Sequence, residues 1–209
     1  MSGMNRMKIK GFFAVIVLGS ALLAGCTTLP PWKQVPTGSS VVYGQIEDSR
    51  RAIAFVAYSD DPGIIAITVE NRFGGWSPRY GMIVDQPART SIKEALAKYE
   101  EWSRLAVDNG VEITREITSV TLPQMFLRNK GWEAEGERQV TFVFNSRLGD
   151  SSTPRTSLVM RTKSFFYGSD QAVLSSDQAA DFSRYLDEEE IAMGYHQAKK
   201  KQDTLDMFK

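Results

Sequence analysis

The N-terminal segment constrains this chain most, because it decides where everything after it must fold. Residues 1–10 carry Arg6, Lys8 and Lys10 and no acidic side chain, and residues 11–22 (GFFAVIVLGSAL) form an apolar run. That run is about half to two-thirds of the ~20 residues that a helix needs to cross a bilayer. A basic start followed by a short apolar run is typical of an export signal. We therefore expect the rest of the chain to fold outside the cytoplasm.

Small residues close the apolar run directly before a cysteine. The sequence Leu23-Ala24-Gly25-Cys26 resembles the lipobox of bacterial lipoproteins, and the resemblance covers only this signal. It implies cleavage before Cys26, a diacylglycerol on the Cys26 sulfur and an acyl chain on the new amino group. Thr27 stands where an aspartate would imply retention in the inner membrane. The resemblance therefore implies a cell-envelope protein, anchored in the outer membrane if the source is Gram-negative.

Composition limits how the exported part can be stabilised and what it can bind. Cys26 is the one cysteine, so no internal disulfide can form and the hydrophobic core must hold the fold. Loss of Arg6, Lys8 and Lys10 with the signal leaves 22 of the 25 basic residues against 25 acidic ones. This slightly acidic balance argues against nucleic acid as a partner.

The chain divides into four parts. Residues 1–25 are the expected signal peptide, and residues 26–40, rich in Pro, Thr, Ser and Gly, are an expected flexible linker. Residues 41–187 are predicted to form one folded domain. Residues 188–209 are acidic and then basic with little apolar face, and we expect a charged extension, either a solvated helix or a frayed tail.

Residues 41–187 have mostly the pattern of β-strands. Two hairpins are predicted, one from residues 52–58 and 64–71 around Pro62-Gly63, the other from residues 138–147 and 156–167. Further strands are expected at residues 41–47, 80–85 and 113–122, the last ending at Pro123.

Two helices are predicted among these strands. The first covers residues 92–108, with Ser91 as N-cap, Glu94 completing a capping box and Asn109-Gly110 as the stop. The second begins after Ser175, with Gln178 completing another candidate capping box. Its predicted buried face is Ala179, Phe182, Tyr185 and Leu186. The sequence thus predicts an α+β fold: a largely antiparallel β-sheet with one or two packed helices.

The chain lacks the common catalytic and cofactor motifs. It has no phosphate-binding loop and no G-x-S-x-G turn, and neither a second histidine nor an available cysteine for a zinc site. His196, the one imidazole, lies in a charged stretch and is expected on the surface. We therefore predict no cofactor, no metal and no catalytic residue, and favour a protein that is not an enzyme.

Carboxylates leave one enzymatic alternative open. Glycan hydrolysis needs two acids that face one bond. Candidates are Asp60 and Asp61, better explained as turn residues, and Glu133, Glu135 and Glu137, which suit a solvated hairpin loop.

Two expected loops combine aromatic residues with glycine. The candidate contact residues are Phe73, Trp76, Arg79 and Tyr80 in the first, and Trp132 in the second. Such side chains can stack on sugar rings or anchor a protein partner.

The function we expect is that of a membrane-anchored envelope lipoprotein that binds or assembles without catalysis. Its lipid would hold it to the membrane, and its partner would be another envelope protein or cell-wall glycan. Two alternatives remain: a lipid-anchored hydrolase of peptidoglycan or another envelope polymer that uses paired carboxylates, and a periplasmic inhibitor or immunity-type protein.

Overall fold

A computed structural model describes residues 40–47, 51–58, 63–71, 80–128, 131–148, 153–164 and 168–208. In these residues the fold is α+β, as predicted, with eight strands that pair in chain order and antiparallel throughout. The strands are β1 Ser40–Glu47, β2 Arg51–Tyr58, β3 Ile65–Asn71, β4 Tyr80–Val84, β5 Ile113–Arg128, β6 Gly131–Arg147, β7 Arg155–Ser164 and β8 Gly168–Leu174. The helices are α1 Gln86–Asn109, α2 Ser176–Arg184 and α3 Glu188–Asp206.

Both predicted hairpins are confirmed. β2 pairs with β3 so that Phe55 lies opposite Ile67, and β6 pairs with β7 so that Phe144 lies opposite Leu158. Alternate residues of each strand point to one face, which the helices cover, and this face holds the main core. A smaller cluster of Val56, Tyr58, Ala66, Ile83 and Met125 lies apart from that core.

β5 and β6 are longer than the sequence indicates. The prediction that β5 ends at Pro123 is wrong, because the strand continues to Arg128 and pairs with β6 over its whole length. The register shifts between Pro123 and Met125, which accommodates a residue that has no amide hydrogen. The loop expected at residues 133–137 is therefore a strand, with Gly136 at a φ of 96°.

α1 begins six residues before its predicted start. Asp85, not Ser91, is the N-cap, and its side chain accepts a hydrogen bond of 2.9 Å from the amide of Ala88. Pro87 occupies the first turn, where a missing amide hydrogen costs nothing. The predicted stop is confirmed, because Gly110 closes the helix in the left-handed conformation at φ 62°.

α2 is the helix predicted after Ser175, with its capping box. The Ser175 hydroxyl accepts from the Gln178 amide, and the Gln178 side chain accepts from the Ser175 amide. Phe182 is fully buried, and its ring meets that of Phe55 edge-on at 5.0 Å. The Gln178 amide group also donates to the carbonyl of Glu47, which ties α2 to the end of β1.

The element order repeats once, although the residues do not. Four strands and a helix (β1–β4 and α1) are followed by four strands and a helix (β5–β8 and α2). The two helices share some buried positions when residues are counted from their caps, Asp85 and Ser175. The fourth and seventh residues after each cap are buried: Arg89 and Ile92 in α1, and Ala179 and Phe182 in α2. The eleventh is buried as well, Leu96 within α1 and Leu186 in the turn that follows α2.

The segment predicted as a charged extension contains α3, and the first half of this helix packs on β1. Ile191 is buried, and a β-carbon built on Gly194 would lie 2.9 Å from the side chain of Tyr43. The glycine therefore lets the helix backbone approach the strand. Of the helices that the structure describes, none is long and apolar enough to cross a membrane.

Candidate functional site

The structure describes only some of the residues of the aromatic site predicted from sequence. Phe73, Trp76 and Arg79 lie outside the described residues, as does Cys26. Tyr80 lies on β4 opposite Phe126, and Trp132 lies on β6 opposite Leu127. Trp132 is thus on a strand and not in a loop. The backbones of Tyr80 and Trp132 are brought to the same end of β5, on either side of it.

The carboxylates considered for hydrolysis are only partly described. Asp60 and Asp61 lie outside the described residues. Glu133 and Glu137 are exposed on β6, and Glu135 lies between them on the same strand. Across the described part of the chain, no three His, Cys, Asp or Glu side chains come close enough to hold a metal ion.

A different surface, at the C-terminal end of α1, has the features of a binding site. Here α1 ends at Gly110 and the chain turns back into β5, beside the end of β6. A cavity of about 410 Å³ opens between these elements, and its lining is mostly apolar. We call this surface the α1-end face and define it by Trp102, Leu105, Val111 and Ile113, which line the cavity.

Trp102 lies half-buried at the floor of the α1-end face. Its ring meets Phe144 edge-on at 5.9 Å, which connects it to the core. Two cations lie over the indole: Lys98 Nζ is 5.5 Å and Arg115 Cζ 5.3 Å from the ring centroid. These contacts hold the indole in place and bring positive charge to the edge of an apolar cavity.

The rim of the α1-end face exposes large aliphatic side chains. The exposed fractions are 52% for Leu105, 43% for Val111 and 40% for Ile113. Leu148, which follows β6, is 40% exposed. Leu148 is held beside the turn because its amide donates to the carboxylate of Glu112. Single exposed apolar residues are common, but a group of them around an apolar cavity is typical of an interaction surface.

A second cavity, of about 460 Å³, lies at the other end of α1. Its lining includes Arg89 and Gln86 of α1, the end of β2, and Glu188, Tyr195 and His196 of α3. His196 is exposed, as predicted, and its ring meets that of Tyr195 edge-on at 5.8 Å. This cavity differs from the first because it contains a buried charge, that of Arg89.

Comparisons with known proteins add no precedent for either cavity. No family model, no curated protein and no solved structure matches the chain. The function must therefore be argued from the surfaces themselves.

Sequence reasoning missed both surfaces for identifiable reasons. Trp102 lies within the helix predicted over residues 92–108, and its half-buried position is not evident from the sequence. Leu105, Val111 and Ile113 surround the predicted stop at Gly110, and this concentration of apolar residues about a turn was the available signal. Arg89 preceded the predicted helix, so its place on the buried stripe was not visible.

Proposed function

We propose that the protein is a lipid-anchored binding protein of the bacterial cell envelope that holds a partner protein through the α1-end face. The observation that carries the proposal is the group of exposed aliphatic side chains around the half-buried Trp102. Contiguous apolar surface is costly to leave in water, and at about 25 cal/mol per Å² its burial is a driving force for association.

The chemistry of the face favours a protein over a glycan. Sugar binding commonly uses an open aromatic face, whereas Lys98 and Arg115 lie over the Trp102 ring. The rest of the surface is aliphatic, from Leu105, Val111 and Ile113. A tryptophan and an arginine within an apolar patch are the residue types that dominate binding energy in protein interfaces.

The anchor and the face support each other in this proposal. The lipobox resemblance at Cys26 implies that the domain is confined to a membrane surface. Confinement raises the effective concentration of a partner in the same layer, so an interface of modest area can suffice. This explains how a small apolar face could hold a partner without a large obligate interface.

The proposal is tested by cross-linking in living cells. A photo-reactive amino acid replaces Leu105, and in a matched control it replaces Val42, which is 56% exposed on the edge strand β1. We expect one recurrent protein to be captured from position 105 and not from position 42. The double substitution Leu105→Asp and Val111→Asp should lower capture from the neighbouring position 113 about ten-fold or more, because each buries a charge in the interface.

Two results would contradict the proposal. Capture of the same abundant proteins from positions 105 and 42 would show that the α1-end face has no partner of its own. Equal capture in the Cys26→Ser variant would show that the lipid does not bring the partner close. If a captured partner is an enzyme and loses activity on binding, the inhibitor alternative would replace the assembly role.

A further inference from the structure

The second cavity contains a buried cation that is only weakly paired within the part of the chain that the structure describes. Arg89 occupies a core-facing position of α1, and the matching position of α2 holds Ala179. Only 6% of its side chain is exposed. A buried guanidinium is costly unless its charge and its five N–H donors are met by partners.

Among the described residues, Glu188 is the carboxylate that pairs with this guanidinium. The nearest Glu188 oxygen is 3.6 Å from Nη2 of Arg89, which is beyond hydrogen-bond distance, and the Glu188 side chain is 73% exposed. An ion pair with a solvated partner at this distance contributes little. Tyr43 cannot serve as a counter-ion: burial raises the pKa of its hydroxyl, which stays neutral and donates to the carbonyl of Tyr185 at 2.6 Å.

The surroundings of Arg89 are suited to an organic anion. The cavity of about 460 Å³ lies within the range of small-molecule sites. Arg89 lies in the first turn of α1, where the helix dipole also favours negative charge. Ile191, Ala192 and the ring of Tyr195 line the same space and offer apolar contact. A planar guanidinium matches carboxylate and phosphate oxygens in pairs.

We propose that this cavity binds a small organic anion, in which a carboxylate or phosphate group pairs with Arg89 and an apolar body packs on Ile191 and Tyr195. The ligand displaces Glu188, which acts as a weak internal competitor for the guanidinium. This inference does not rest on the α1-end face, because the two cavities lie at opposite ends of α1.

The test measures binding of defined probes to the full-length protein in detergent by isothermal titration calorimetry. The probes are phenylacetate and phenyl phosphate, with neutral phenylacetamide as the control for apolar binding and for partition into micelles. At least one acid should bind saturably with a 1:1 stoichiometry and at least ten-fold more tightly than the amide. The ratio of the two acid affinities distinguishes a carboxylate ligand from a phosphate ligand.

Three variants make the test specific. Arg89→Met should abolish acid binding. Glu188→Gln removes the competitor from an exposed position, so it should fold normally and tighten acid binding about two- to five-fold. Glu189→Gln, one residue along the same helix and also exposed, is the matched control and should leave the affinity unchanged.

Several outcomes would overturn the inference. These are no saturable binding of either acid at millimolar concentration, equal binding of the amide, and an unchanged or weaker affinity in Glu188→Gln. If Arg89→Met does not fold, the NMR resonances of the Arg89 guanidinium N–H groups in the wild-type protein show whether the acid binds at Arg89. The acid must shift them for the inference to hold, and an acid that leaves them unmoved binds elsewhere.

Discussion

At the scale of single residues, small side chains decide how closely the layers approach. Gly44 on β1 lies beneath the ring of Tyr185, and a β-carbon built there would be 2.5–2.8 Å from three ring atoms. That ring is itself held, with its centroid 4.9 Å from Phe55. The glycine therefore leaves the space that the aromatic cluster between the sheet and α2 requires.

Gly44→Ala should destabilise the protein by about 1–3 kcal/mol, because the added methyl overpacks a ring that cannot move aside. The measurement is the free energy of unfolding in urea. Gln45→Ala, at the next and exposed position of β1, should change that free energy by less than about 0.5 kcal/mol. Equal effects of the two substitutions would show that the Tyr185 ring can shift at no cost.

At the scale of elements, the ends of α1 show how local signals compete. Both Asp85 and Ser91 are good N-cap residues, and Ser91 has Glu94 in the position of a capping box. The helix begins at the earlier candidate, because Pro87 suits a first turn and Arg89 and Ile92 then share one buried stripe. Ser91 lies within the helix as a result.

Asp85→Ala should lower the free energy of unfolding by about 0.5–2 kcal/mol, because the amide of Ala88 loses its acceptor. Ser91→Ala should be neutral or slightly stabilising, since alanine is the better residue inside a helix. Urea unfolding of both variants compares the two positions. A larger loss from Ser91→Ala would move the start of α1 back to the position predicted from sequence.

The elements that could be predicted are those whose signals are local. Both hairpins, the capping box at Ser175 and the stop at Gly110 depend on residues a few positions apart. β8 was missed. β5 was cut short because Pro123 favours a strand end when the partner strand is unknown. Pairing with a long β6 outweighs that local preference.

The candidate sites were less predictable than the fold because they depend on where elements end relative to one another. The α1-end face needs the α1–β5 turn beside the end of β6, and the Arg89 cavity needs α1 beside α3. The spacing of residues along the sequence does not show that these elements will be neighbours. It remains a prediction that the residues chosen from sequence contact a partner. These residues are Phe73, Trp76, Arg79, Tyr80 and Trp132.

At the scale of the whole molecule, α3 breaks the repeat of four strands and a helix. It follows the second half without a counterpart in the first, packs on β1 and supplies one wall of the Arg89 cavity. The ion pair between Lys93 and Asp187 joins α1 to the residue before α3. The first half of α3 thus brings the C-terminal part of the described chain back to the first strand.

The boundary predicted at residue 187 implies that the domain folds without the segment after it, and α3 allows a direct test of that division. A chain that ends after Asp187 loses buried Ile191 and uncovers Tyr43, so its free energy of unfolding should fall by about 2 kcal/mol or more. A chain that ends after Thr204 loses only exposed apolar side chains, Leu205, Met207 and Phe208, and should unfold like the full chain. Urea unfolding of the three lengths measures this. A chain ending after Asp187 that is as stable as the longer two would make α3 an appendage and the Arg89 cavity an open surface.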